Sequence, residues 1–325
     1  MMRTRTKRTL YFLFSLFLIG LSYVLFHYHD NIPLAQLKED YADEDSKFIE
    51  LVGMEVHYRE RGTGMPLLLL HGTGASLHTW EKWTEELSQY YRVISLDLPG
   101  FGLTGKHFGN NYSIQSYTEF LHSFTQKMAL DSFHLAGNSL GGNIAWNYAL
   151  DYPQQVKKLV LLNASGYPHP ERTPPLAFRL AQNPILSKLM LRVTPRSLFK
   201  KSLQEVYVND DLVTDAMIDR YFDLFLRRGN RQAFIDRCNQ DFVDRSAEIQ
   251  QIQQPTLIIW GDQDEWVPVA DAARFQEDLP NAQLIIYENT GHLPMEERAE
   301  ASILDVQRFL QEKHVGQVQN ISINE

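Results

Sequence analysis

Short apolar runs alternate with stretches of helical length and amphipathic pattern through most of this chain. Residues 67–70 are apolar without a break, as a strand buried on both faces must be. The runs at 92–96, 132–136, 158–162, 256–260 and 283–287 repeat that character. Residues 47–52 and 55–61 read as an earlier pair of strands joined at Gly53. Helix-sized segments at 80–89, 114–128 and 143–152 lie between the runs. This alternation predicts an α/β fold, a mostly parallel eight-stranded sheet covered by helices on both faces.

One interval breaks the pattern. Residues 168–252 show helical stretches and no convincing strand, and Pro168, Pro170, Pro174 and Pro175 discourage helix at its entry. A helical cap inserted before the seventh strand is therefore expected, lying over the carboxyl edge of the sheet, where open α/β sheets bind ligands.

The amino terminus has a different bias. Residues 10–26 carry no charge and are rich in Leu and Phe, behind a basic tail (residues 1–9) holding Arg3, Arg5, Lys7 and Arg8. A secretory signal has a shorter apolar region, about 7–15 residues, and a small-x-small cleavage site. Here His27, Tyr28, His29 and Asp30 follow instead. A retained transmembrane anchor is the expectation, and secretion after signal cleavage is the alternative. The basic flank predicts a cytoplasmic amino terminus with the remainder outside the cytoplasm. Residues 27–46, polar and acidic, read as a solvated stalk. The expected α/β domain then spans 47–316, with the cap at about 168–252, and residues 317–325 form a tail.

Composition narrows the function. A formal net charge of -9 with no basic stripe beyond the first residues argues against a nucleic-acid partner. The single cysteine, Cys238, excludes an intrachain disulfide and a Cys-based zinc site, and it reads as a structural thiol. No ligand cluster with metal spacing appears, so neither metal nor organic cofactor is expected.

The chemistry lies at the ends of the predicted strands. Gly137, Ser139 and Gly141 form a G-x-S-x-G pattern between the 132–136 strand and a helix beginning near Asn143. In that strand–turn–helix setting the serine sits on a sharp, strained turn, and the glycines relieve crowding around it. A serine hydroxyl needs a base and the base needs an orienting group. His292 follows the last predicted strand and is the expected base, whereas His71 and His134 lie in a strand end and a strand. Asp262, Asp264 and Glu265 follow the preceding strand; Asp264 is the expected acid and Asp262 a turn former. The order Ser, Asp, His is that of α/β-hydrolases. The amide of Leu140 supplies one oxyanion donor, and Thr73, in the glycine-bearing turn after 67–70, the second, with Gly72 as the neighbouring alternative.

With His71 to Gly74, Asp97 to Gly102, Gly137 to Gly142, Gly261 to Asp264 and Gly291–His292 in place, the chain resembles the α/β-hydrolase superfamily over about residues 47–314. It is most similar to lid-bearing esterases and lipases, and more loosely to meta-cleavage carbon–carbon bond hydrolases. The resemblance implies Ser139, Asp264 and His292 as nucleophile, acid and base, and a structural role for Asp97 to Gly102. Related dehalogenases and epoxide hydrolases place aspartate at the nucleophile, here Ser139. Carbon–carbon hydrolases typically follow the histidine with tryptophan, here Leu293, and proline iminopeptidases usually follow the nucleophile with tryptophan, here Leu140. The implied function is hydrolysis of a small acyl ester or lipid-like substrate through an acyl-enzyme. Carbon–carbon or amide hydrolysis on the same triad is the first alternative, and a non-catalytic small-molecule binder is the second. Lid side chains such as Phe178, Phe199, Phe225, Tyr167, Tyr207 and Tyr221 are expected to set the choice of substrate, whichever way each one points.

Overall fold

A computed structural model describes residues 2–312; the predicted tail at 317–325 lies outside the described residues. Eight strands form one sheet: β1 (Ser46–Leu51), β2 (Met54–Arg61), β3 (Pro66–Leu70), β4 (Arg92–Leu96), β5 (Phe133–Asn138), β6 (Val156–Leu162), β7 (Thr256–Gly261) and β8 (Ala282–Tyr287). Their order is β1-β2-β4-β3-β5-β6-β7-β8. β1 and β2 pair antiparallel, as do β2 and β4, and every other pairing is parallel. The α/β fold with a mostly parallel eight-stranded sheet is thus as the apolar runs indicate.

The helices are α1 (Met2–Phe26), α2 (Leu34–Tyr41), α3 (Glu81–Leu87), α4 (Ile114–Lys127), α5 (Leu140–Asp151), α6 (Leu176–Gln182), α7 (Leu186–Met190), α8 (Arg196–Val206), α9 (Asp215–Leu226), α10 (Asn230–Cys238), α11 (Ala270–Asp278), α12 (Pro294–Glu297) and α13 (Ala299–Gln311). Alternate side chains of each central strand feed opposite layers. Leu68, Leu70, Leu159, Leu161, Ile258 and Trp260 pack on one face with α4, α5 and α11. Leu67, Leu69, Val160, Leu162, Leu257 and Ile259 pack on the other with α3 and α13. A strand buried on both faces has little polar side to show, which is why these runs are mostly apolar. All four leucines of β3 are fully buried, each contributing about 1.5–3 kcal/mol relative to exposure.

The chain leaves β3 for β4 on one side and later places β5 on the other side of β3. The carboxyl ends of β3 and β5 therefore border the point where strand order reverses, and loops leaving in opposite directions open a crevice there. Helices α6 to α10 occupy the interval between β6 and β7; Leu203, Val206 and Ile218 share a core with the central strands, and Ala181, Met190 and Phe234 form a smaller one.

Two local readings change. Helix α5 starts at Leu140, not near Asn143, because the turn bearing Ser139 is itself the helix entry. Residues 27–46 are not a free stalk. Leu34, Leu37 and Tyr41 recur at helical spacing, and Leu37 is fully buried against Leu103 and Leu224. Tyr41 Oη donates to Asp223 at 2.6 Å, and Lys38 pairs with Glu55 at 2.9 Å. The buried Arg231 donates to the His29 carbonyl at 3.0 Å and to Asn31 Oδ1 at 2.9 Å. The acidic side chains cover the solvent side of a docked segment.

Candidate active site

Ser139 stands between β5 and α5 with φ 54° and ψ -114°, a backbone region that L-residues hold only where the surroundings enforce it. The surroundings are two glycines. A Cβ at Gly137 would meet the Gly141 carbonyl oxygen at 2.2 Å, and one at Gly141 would meet that of Leu70 at 2.1 Å. No side chain fits at either position, so the turn brings the start of α5 directly against β3. Ser139 caps α5 without using its hydroxyl, and Leu140 is the first helical residue. The amide of Leu140 is thus one of the helix-entry donors that have no intrahelical acceptor.

The turn after β3 reaches the same spot. A Cβ at Gly72 would lie 2.9 Å from Asn138 Oδ1 and 3.1 Å from Ser139 Cβ. Gly72, Thr73, Ser139 and His292 all line one cavity. His71 is fully buried behind this turn. Its Nδ1 donates to the Gly72 carbonyl at 2.8 Å, and its Nε2 accepts from the Leu98 amide at 3.0 Å. Burial holds its pKa below the ordinary histidine value, so the neutral ring is a fixed brace for the turn.

His292 follows β8, and its Nδ1 donates to Asp264 Oδ2 at 2.7 Å. Both side chains are buried. Asp264 is held by four donors: the other contact to Oδ2 is Asn163 Nδ2 at 2.7 Å, while the amides of Trp266 and Val267 reach Oδ1 at 2.8 and 3.0 Å. A carboxylate so held can only accept, so in the neutral imidazole the proton sits on Nδ1 and Nε2 keeps its lone pair. Of the three candidate carboxylates, the structure brings only Asp264 to this ring. Asp262 is exposed and accepts from the Thr290 amide at 3.2 Å; Glu265 is exposed.

Other positions surround this pair without having been singled out from the sequence. Asn163, with φ 44° just past β6, donates to Asp264 and to the Gly291 carbonyl at 3.3 Å. Asn138 donates to the His292 carbonyl at 3.0 Å. Glu297 accepts the Gly291 amide at 3.1 Å and the Val208 amide at 2.8 Å, and the His292 amide donates to the Val206 carbonyl at 2.8 Å. The loop bearing His292 is therefore tied directly to the end of α8. Both asparagines stand at the carboxyl ends of buried strands, where a polar residue among apolar ones was the available signal.

The remaining sequence candidates separate. Asp97 is fully buried and accepts from His57 Nδ1 at 2.7 Å and from the amides of Leu77 and Leu103 at 2.8 and 2.7 Å. Burial raises its pKa, but the charge and hydrogen bond of His57, with His71 and His78 beside them, together hold the carboxyl below its usual range. This aspartate fastens β2, β4 and the loop up to Gly102, away from the cavity. His134 is buried edge-on to Tyr91, with burial lowering its pKa to about 4.

The cavity walls above Ser139 are almost wholly apolar: Phe178, Met190, Leu198, Phe199, Leu203, Tyr221, Phe225, Phe234 and Trp266 stand there, and among the described residues no Lys, Arg, Asp or Glu lines it. Of the lid side chains named from the sequence, Tyr167 and Tyr207 do not line this cavity. Tyr167 Oη donates to Asp278 and its ring meets Phe275 edge to face, and Tyr207 Oη donates to Glu296. Each phenol needed a buried acceptor and found one outside the cavity. Among the described residues no cluster of three or more His, Cys, Asp or Glu suits a metal.

The alpha/beta hydrolase fold family model matches residues 65–299. The 2-hydroxy-6-oxo-2,4-heptadienoate hydrolase of Pseudomonas putida is 28% identical over 268 residues, covering 79% of this chain and 93% of that protein. Lipase 1 of Psychrobacter immobilis is 30% identical over 303 residues, covering 85% and 90%. Among solved structures, a membrane phospholipase A described as a bacterial virulence factor superposes with a TM-score of 0.72 at 30% identity, covering 94% of this chain and 98% of that one.

Proposed function

Given that the chain belongs to the α/β-hydrolase superfamily, we propose that it is a serine hydrolase that cleaves carboxylic esters of apolar acyl groups. The observation that carries this reading is the meeting of a strained Ser139 and an Asp264-oriented His292 in one apolar cavity. His292 Nε2 takes the Ser139 proton as the hydroxyl attacks the acyl carbonyl, and Asp264 stabilises the imidazolium. The amides of Leu140 and Thr73 receive the tetrahedral oxyanion, where preorganised donors act most strongly. The imidazolium returns the proton to the leaving alcohol, and water repeats the cycle on the acyl-enzyme.

Ester over carbon–carbon cleavage is favoured by the walls. A dienoate substrate carries a carboxylate, and an anion in an apolar cavity lined by no Lys or Arg among the described residues is strongly penalised. An uncharged acyl chain suits Phe178, Phe199, Phe225 and Leu203. The test compares p-nitrophenyl esters of increasing acyl length with a vinylogous diketone bearing a carboxylate. Faster turnover of the diketone than of every ester would overturn the assignment.

The same reading keeps α1 as a membrane anchor. Its window Thr9–Phe26 has a mean hydropathy of 2.1 and is not buried by the rest of the chain. Residues 10–26 extend roughly 25 Å at about 1.5 Å per residue, close to a hydrocarbon core of about 30 Å. Arg3, Arg5, Lys7 and Arg8 hold the amino terminus in the cytoplasm and place Ser139 on the far side. Amino-terminal sequencing of the mature protein checks this, and cleavage between residues 26 and 35 would make it a secreted enzyme.

A further inference from the structure

Ile185 is 77% exposed, and Leu186 and Leu189 beside it are 39% and 44% exposed. These three residues form the outer side of α7, whose inner side carries the buried Ser187 and Met190, with Met190 in the cavity wall. Exposed leucine and isoleucine side chains gathered on one short helix mark a surface made to be covered.

Two further observations say what covers it. The first is position. One turn beyond Leu189, the chain pairs with the exit of α1: the His29 amide donates to the Arg192 carbonyl at 2.8 Å, the Thr194 amide donates to the His27 carbonyl at 3.0 Å, and Tyr28 bridges Val193. The buried Arg231 fixes the same short segment. The apolar face of α7 therefore sits beside Phe26, where the apolar helix ends, and no loose linker separates them. The second is charge. Residues 172–204 contain seven Lys or Arg and no Asp or Glu, in a chain whose formal net charge is -9. Arg196 is turned to Asp215 and Asp219, Arg192 to Asp30 at 3.6 Å and Lys201 to Glu205, but Arg179 and Lys188 are exposed and pair with no acid among the described residues.

We propose that the outer face of α6 to α8 is a second membrane-contact surface, seated on an anionic phospholipid leaflet beside α1; the proposal rests on the reading of α1 as an anchor. Ile185, Leu186 and Leu189 enter the headgroup–acyl boundary, and Lys188 and Arg179 meet the lipid phosphates, the division of labour of an interfacial amphipathic surface. The α7 wall of the cavity then lies against the bilayer, on the side from which a lipid ester arrives.

The test reconstitutes the full-length chain in nanodiscs of phosphatidylcholine, with and without phosphatidylglycerol. One fluorophore is attached at Ile185→Cys or, for comparison, at Leu18→Cys within α1; the parent chain, whose Cys238 thiol burial pushes up to about 12, sets the labelling background. The label at 185 is expected to be quenched by spin-labelled lipids and shielded from iodide, more so with phosphatidylglycerol. Each basic side chain near an anionic surface is worth roughly a factor of five in binding, so Lys188→Glu/Arg179→Glu abolishes the phosphatidylglycerol dependence. Ile185→Ser/Leu189→Ser slows hydrolysis of vesicle phospholipid severalfold and leaves a soluble short ester unaffected. Lipid quenching at 18 with full iodide access at 185 overturns the second contact and leaves the anchor standing. Quenching at neither site overturns both. Shielding of 185 in detergent that grows with protein concentration assigns the face to a second copy of the chain and overturns the lipid assignment.

Discussion

Asp264→Asn separates orientation from packing at the proposed triad. Asp264 Oδ1 accepts two backbone amides, from Trp266 and Val267 at 2.8 and 3.0 Å. An asparagine there keeps both only by placing its carbonyl oxygen at that position. Its NH2 group then occupies the Oδ2 position, facing His292 Nδ1 and Asn163 Nδ2, both 2.7 Å from Oδ2 in the native chain. That NH2 now meets the donor Asn163 Nδ2 head-on, and His292 can satisfy it only by accepting at Nδ1, which moves its proton to Nε2. A ring protonated at Nε2 cannot take the Ser139 proton. The equivalent tautomer fault in a serine protease costs about 10⁴-fold in kcat, or about 5.4 kcal/mol at 1.36 kcal/mol per decade. The donor–donor conflict adds a stability loss of about 1–3 kcal/mol. Asp262→Asn, which disturbs one exposed contact to Thr290, should lie within about 0.5 kcal/mol of the parent and keep its turnover. Steady-state kcat on a short p-nitrophenyl ester, with thermal unfolding of each variant, measures both quantities. A kcat within tenfold of the parent for Asp264→Asn, or a larger loss in Asp262→Asn, would refute the argument.

Ser139→Ala should abolish labelling by a fluorophosphonate probe while thermal unfolding stays cooperative; labelling at parental stoichiometry would move the nucleophile elsewhere. Gly141→Ala drives a Cβ to 2.1 Å from the Leu70 carbonyl and should cost more than about 3 kcal/mol, seen as loss of soluble, folded protein. Glu296 is buried beside Thr79 and Tyr207, and burial raises its pKa above the ordinary 4.5. A carboxyl raised in the folded state stabilises fully below its unfolded pKa and loses that contribution as pH rises through the folded value. Glu296→Gln should therefore match the parent in Tm below about pH 4.5 and exceed it at neutral pH, and a lower Tm at neutral pH would refute the sign. Arg231→Met removes the donors that hold His29 and Asn31 and should increase proteolysis within residues 27–33, measured by limited digestion of the full chain.

The central strands were legible because a strand buried on both faces is driven to be apolar along most of its length, and β1 and β2 were legible as a pair joined at Gly53. The helical character of 168–252 was legible by the absence of such runs, and the strained turn by the glycines around Ser139. These are local demands, so a linear pattern records them. Other features depend on residues far apart in sequence. Residues 27–46 look solvated because their charges outnumber Leu34, Leu37 and Tyr41, and nothing local shows that Leu103 and Leu224 complete a pocket for Leu37. Tyr167 and Tyr207 resemble Tyr221 as cavity-lining candidates, yet Asp278 and Glu296 draw their phenols away. The choice of Asp264 over Asp262 as partner of His292 is likewise geometric, made by the turn that aims one carboxylate inward and leaves its neighbour in solvent. Apolar periodicity specifies which layer a side chain enters. Only the folded sheet specifies which distant polar atom it meets there, because a buried hydrogen bond is decided by position to within a few tenths of an ångström.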